Sequence, residues 1–102
     1  MPMQMLKLVT IIAEEILRER ICKKILALGA TGYTCVQCEG DGARGVRDET
    51  VQGSNVKIQV VCTAAVAESI MTYVAEKFFE NFAVIVWQSD VSVIRGAHYV
   101  KK

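Results

Sequence analysis

The residues best suited to chemistry lie in one stretch, Gly40 to Gly53, which reads Gly-Asp-Gly-Ala-Arg-Gly-Val-Arg-Asp-Glu-Thr-Val-Gln-Gly. Gly40, Gly42 and Gly45 let the backbone turn through positive φ and approach a ligand closely. Arg44 and Arg47, set among them, carry guanidinium forks that match phosphate or carboxylate oxygens. Together they describe an anion-binding loop. The same arginines could instead be solvated charges, since Glu39, Asp41, Asp48 and Glu49 are within reach as ion-pair partners. Length favours the binding loop: a connection of about fifteen residues in so short a chain exceeds an ordinary hairpin turn, and such loops tend to be functional or disordered.

Four cysteines, Cys22, Cys35, Cys38 and Cys62, form a second set. Cys35-Val36-Gln37-Cys38 is a CxxC, but a redox pair belongs at a helix start and a zinc knuckle needs a second ligand pair. Residues three apart on a strand point to opposite faces. The four are therefore expected to be thiols, with no metal site.

The elements that must position the loop follow from periodicity. With 102 residues the chain has the size of one domain, 1–102, and its hydrophobic fraction of 52% is high for a soluble fold. No apolar run approaches the roughly 20 residues that span a bilayer. The opening Met-Pro-Met-Gln-Met lacks the features of a signal peptide, so a cytoplasmic location is expected. A net charge of +1, with acids and bases interleaved, predicts no basic face for nucleic acid or anionic lipid.

Met5–Ile12 reads as a β-branched strand, and Ala13–Leu28 as a helix with Ala13, Ile16, Leu17, Ile21, Ile25 and Leu28 on its apolar face. Gly29 is the stop. Tyr33–Glu39 is a second strand entering the loop, and Asn55–Cys62 a third, alternating Val56, Ile58, Val60 and Cys62 against Lys57 and Gln59. Thr63 caps a helix over Ala64–Glu80 striped with Ala67, Ile70, Met71, Val74, Ala75 and Phe78, and Asn81 closes it in the left-handed conformation. Ala83–Arg95 is the last strand. The order is β-α-β-loop-β-α-β, an α+β ferredoxin-like plan with two helices on one face of a four-stranded antiparallel sheet. Ile85, Trp87, Val91 and Val93 would make the other face apolar, an interface for sister subunits.

Given this plan, three segments carry a resemblance: Gly29-Ala30-Thr31-Gly32-Tyr33-Thr34, Gly40-Asp41-Gly42-Ala43-Arg44-Gly45-Val46-Arg47, and Val93-Ile94-Arg95-Gly96-Ala97-His98. The chain, from about Leu6 to Tyr99, resembles the PII-like signalling proteins, trimers whose loop between strands two and three is the T-loop, here about 40–54. It is most similar to the inorganic-carbon subgroup: bicarbonate-transporter regulators and carboxysome-associated PII-like proteins of the carbon concentrating mechanism. The resemblance implies a non-enzymatic homotrimer that holds an adenine nucleotide in each intersubunit cleft. The base would lie near Gly32, Tyr33, Thr34 and Gly96, with His98 close by, and the phosphates against Gly40, Gly42, Arg44 and Arg47, with Arg95 a further candidate.

It further implies bicarbonate as a second ligand, no covalent cofactor, and signalling through the T-loop to a membrane bicarbonate transporter, which would bring the protein to the inner membrane's periphery. Few basic residues near the last strand favour ADP or AMP over ATP, with cyclic AMP also open. The loop has no tyrosine, so the uridylylation of nitrogen-regulatory PII proteins is not expected, and with the sequence ending at Val100-Lys101-Lys102 neither is the C-terminal redox switch of some cyanobacterial members. The competing resemblances are to PII proteins of nitrogen regulation and to trimers of the copper-tolerance protein CutA, the latter drawing on the cysteines, Met71 and His98. An acylphosphatase would need glycine and arginine after the first strand, where Ile12-Ala13-Glu14 stands. An RNA-binding module would need aromatic residues on the central strand, and Val56–Cys62 has none.

Overall fold

A computed structural model describes residues 2–39 and 54–100. The strands are β1 (Gln4–Glu14), β2 (Thr34–Cys38), β3 (Asn55–Cys62) and β4 (Ile85–Val93), and the helices are α1 (Arg18–Ala27) and α2 (Ala64–Phe78). The sheet order is β2-β3-β1-β4, with every neighbouring pair antiparallel. This is the ferredoxin-like arrangement expected from the sequence.

Strand alternation divides the sheet into two unlike faces. Val9, Ile11 and Ala13 of β1 share one face with Val56, Ile58, Val60 and Cys62 of β3, and all are at most 1% exposed. Onto them pack Ile21 and Ile25 from α1 and Ala67, Ile70, Val74 and Phe78 from α2, also fully buried. At roughly 1.5–3 kcal/mol for each large side chain removed from water, this layer is the main stabilising term of the fold.

Several boundaries differ from the sequence expectation. β1 runs through Ala13 and Glu14, because these residues pair with Val56 and Asn55 and the Glu15 N–H donates to the Ser54 carbonyl at 3.0 Å. The ladder offers hydrogen bonds that a helix start would leave unmade. A short 3-10 turn, Glu15–Leu17, then precedes α1, and its tighter winding buries Leu17 while leaving Ile16 77% exposed rather than on the apolar face. Asn81 is not left-handed: Arg95 is the one non-glycine residue with positive φ among those described. α2 instead ends by turning back on itself, with the Asn81 and Phe82 N–H groups both donating to the Phe78 carbonyl at 3.2 and 2.9 Å. β4 is shorter at both ends than 83–95, since Val84 is drawn into a turn with Phe82 and Arg95 breaks the chain direction.

Two caps are as expected. The Thr63 hydroxyl accepts from the Val66 N–H at 3.3 Å. Gly29 has φ 117°, its N–H donating to Leu26 and that of Ala30 to Ile25, the double closure of a Schellman motif.

Charge is distributed less evenly than its interleaving along the sequence predicts. Arg20, Lys23, Lys24 and Lys77 line a groove between α1 and α2 with Glu76 as its sole acid, so one locally basic surface exists. Among the described residues no helix is long and apolar enough to cross a membrane.

Candidate ligand cleft on the open face of the sheet

The face away from the helices begins as a mixed surface. Thr10 is 2% exposed at its centre, where its hydroxyl oxygen accepts from the Gln59 amide at 3.4 Å, while its register partner Trp87 and nearby Ile85 and Val36 stand 44–55% exposed. Beside this patch a cleft of about 330 Å³ opens. Its floor is Leu8, Gln59 and Val61, all on the helix-free face by register. One wall is the turn from Thr31 to Thr34 that leads into β2, and the opposite wall is His98 and Tyr99.

The two walls are positioned by different devices. Thr31–Thr34 follows directly on the Schellman closure of α1. A Cβ built on Gly29 would sit 3.1 Å from a Val66 methyl, so this turn is also braced on the first turn of α2. His98 and Tyr99 belong to a 3-10 turn, Gly96–Tyr99, that folds back over the open face after Arg95 takes a left-handed conformation (φ 65°, ψ 39°). Their rings meet edge to face at 5.3 Å. Gly96 is buried against Gln4: a Cβ there would lie 2.6 Å from the Gln4 Cβ and would overlap its Oε1.

Tyr33 stands 44% exposed at the cleft. The neighbouring Cys22 thiol raises the Tyr33 pKa above its ordinary value. Burial, then the neighbouring Cys35, pushes the Cys22 thiol up as well. All four cysteines are free thiols, and burial holds Cys62 at about 11. Thiols raised by burial, as at Cys22 and Cys62, are weak nucleophiles and weak metal ligands. Among the described residues no three His, Cys, Asp or Glu side chains are grouped to hold a metal ion.

Of the residues singled out in the sequence, Gly32, Tyr33, Thr34 and His98 come together in this cleft. Arg95 and Gly96 are not among its lining residues; they shape the turn that carries His98. Gly40, Gly42, Arg44 and Arg47 lie outside the described residues. Leu8, Gln59, Val61, Thr31 and Tyr99 were not anticipated as lining. The first three follow from strand alternation once the open face is identified, whereas Tyr99 depends on a chain reversal at Arg95 that its residue type does not announce.

The cleft's chemistry is amphipathic, with aromatic rings at Tyr33, His98 and Tyr99 and hydrogen-bonding groups at Thr31, Thr34 and Gln59. It suits a planar polar ring. Residues 6–98 match the family model of the nitrogen regulatory protein P-II. The chain belongs to the P-II family. Among solved structures, this P-II chain is similar to a PII-like signaling protein from Thermus thermophilus, with 38% identity over 98% of this chain and 100% of that one and a TM-score of 0.85. The same fold is found in CPII from Thiomonas intermedia bound to ADP, AMP and acetate, at 20% identity, 97% and 98% coverage and a TM-score of 0.83. CPII bound to ADP and bicarbonate gives 22% identity, 96% and 97% coverage and a TM-score of 0.81.

Proposed function

We propose that this P-II protein is a non-enzymatic sensor that binds ADP or AMP, and with it bicarbonate, and reports their levels to a bicarbonate-uptake partner through residues 40–54. The observation carrying this reading is the cleft itself. In a P-II chain, Gly32, Tyr33, Thr34 and His98 converge on an open, partly apolar sheet face. Structures of the same fold hold ADP, AMP and bicarbonate in CPII.

The adenine ring would lie between Tyr33 and the His98–Tyr99 wall, with Thr34 and Gln59 offering hydrogen bonds to its edge. The exposed Trp87, Ile85 and Val36 would be covered by neighbouring subunits of a homotrimer, placing each cleft at a subunit boundary. The segment carrying Arg44 and Arg47 leaves the sheet at Cys38 and returns at Asn55, four strand residues, or about 13 Å, from Thr34. A connection of this length has the reach to bring both guanidiniums onto the phosphates. Bicarbonate held beside them would add charge-assisted contacts, so each ligand should raise the affinity of the other by the same factor.

Isothermal titration of ADP, AMP, ATP and cyclic AMP, each with and without bicarbonate, tests the reading. ADP or AMP should bind most tightly and bicarbonate should strengthen it. No heat from any adenine nucleotide would refute the sensor, and nucleotide affinity indifferent to bicarbonate would remove the carbon signal. A carbon-uptake partner would be sought by co-purification in high and low bicarbonate.

A further inference from the structure

The basic groove on the helix layer plays no part in the cleft. Arg20, Lys23, Lys24 and Ala27 occupy positions i, i+3, i+4 and i+7 of α1 and so form one stripe, and Tyr73, Glu76 and Lys77 form the facing stripe of α2. Between them lies a groove of about 720 Å³. The Arg20 guanidinium reaches across to within 5.2 Å of the Phe78 ring centre, and the Lys24 ammonium to within 5.7 Å of Tyr73. None of the four cations has an ion-pair partner among the described residues. Two thus lie over aromatic rings and, among the described residues, all four lack a compensating carboxylate, although Glu19, Glu68, Glu76 and Glu80 lie on or beside the same two helices.

We propose that this groove is a docking site for an acidic segment of a partner protein. The occupant is specified by three features. Four cations facing one glutamate call for a negatively charged ligand. Tyr73 and Ala27 place apolar surface between the cationic rims, which suits a chain alternating carboxylates with an apolar side chain better than a continuous run of phosphates, and Glu76 would repel the latter locally. The stripe from Arg20 to Ala27 spans about 10 Å, or two helical turns, the length of a short peptide segment. The groove also lies on the opposite side of the sheet from the open face, so docking there leaves the nucleotide cleft and the proposed subunit contacts free.

The test uses the full-length protein and a fluorescein-labelled peptide, Glu-Leu-Glu-Glu-Phe-Glu, with anisotropy as readout. The peptide should bind saturably and its all-glutamine analogue should not. The K23E/K77E double variant should bind it at least about tenfold more weakly, and should instead bind the lysine-for-glutamate version of the peptide. Circular dichroism confirms folding, and the milder K23Q/K77Q, which should lose part of the affinity, serves if the charge reversal unfolds the helices. Equal binding by wild type and a folded variant overturns the proposal. So does failure of the peptide to bind, including where sodium triphosphate or phosphatidylglycerol vesicles bind in its place, results that would assign the groove to a free anion or a membrane.

Discussion

The two faces of the same sheet have opposite solutions to the same problem. On the helix side, Val56, Ile58, Val60 and Cys62 are closed off by Ile21, Ile25, Ile70, Val74 and Phe78 from within the chain. On the other side, Thr10 and Gln59 are hydrogen-bonded in a setting of half-exposed Trp87, Ile85 and Val36, with the cleft alongside. A core completes itself, whereas an open face holding polar groups among apolar ones waits for something else to complete it.

Mutations can break that contrast. Truncating the buried Phe78 to Ala should remove about 3–5 kcal/mol, a large share of the roughly 5–15 kcal/mol a domain possesses, and urea denaturation would show it. Trp87→Asp on the open face should leave the monomer folded while abolishing self-association in light scattering. If Trp87→Asp unfolds the chain as Phe78→Ala does, the two faces are not functionally distinct.

Next in size is Gly32→Trp. No atom lies within 4 Å of a Cβ at Gly32, so the fold should tolerate the change while the indole obstructs the cleft. Nucleotide affinity should fall about a hundredfold, near 2.7 kcal/mol, with the urea midpoint unchanged. Retained affinity would move the ligand elsewhere on the molecule.

Thr63→Ala should cost about 1 kcal/mol by removing the cap of α2, and should do so without touching nucleotide binding, as expected of a helix-side change. The last effect is invisible at neutral pH. Burial raises Cys62 to about 11 in the folded chain, against about 9 unfolded. Above the lower value the unfolded chain releases a proton that the native chain keeps, so stability falls as pH rises from about 9 to 11. Cys62→Ala should flatten that decline in urea midpoints measured across the range.

The helix side was also the legible side. Alternation in Asn55–Cys62, the Thr63 cap and the Gly29 stop are local signals, and each is where the sequence places it. The junction at Ala13–Ile16 was not legible, because an apolar residue there fits a helical stripe and a strand equally well, and only pairing with β3 decides between them. Of the cleft, the wall at Gly32–Thr34 could be marked from the sequence. The floor needed the register, and Tyr99 needed a left-handed arginine that nothing in its type foretells. The basic groove was hidden because charges alternating along a chain can still gather when a helix winds them at 3.6 residues per turn.

Gly96 and Gln4 lie 92 positions apart in the chain and have no room for each other's Cβ atoms beyond what a glycine leaves. Since Gly96 does not adopt positive φ, space alone dictates its identity. Substitutions at the two sites therefore cannot drift independently: an alanine at 96 is viable where the first strand's opening residue is itself glycine or where that strand has shifted outward. Across descendants of this sequence the two positions should change together or not at all. The wall that carries His98 would thus inherit its placement from the start of β1, the opposite end of the described chain.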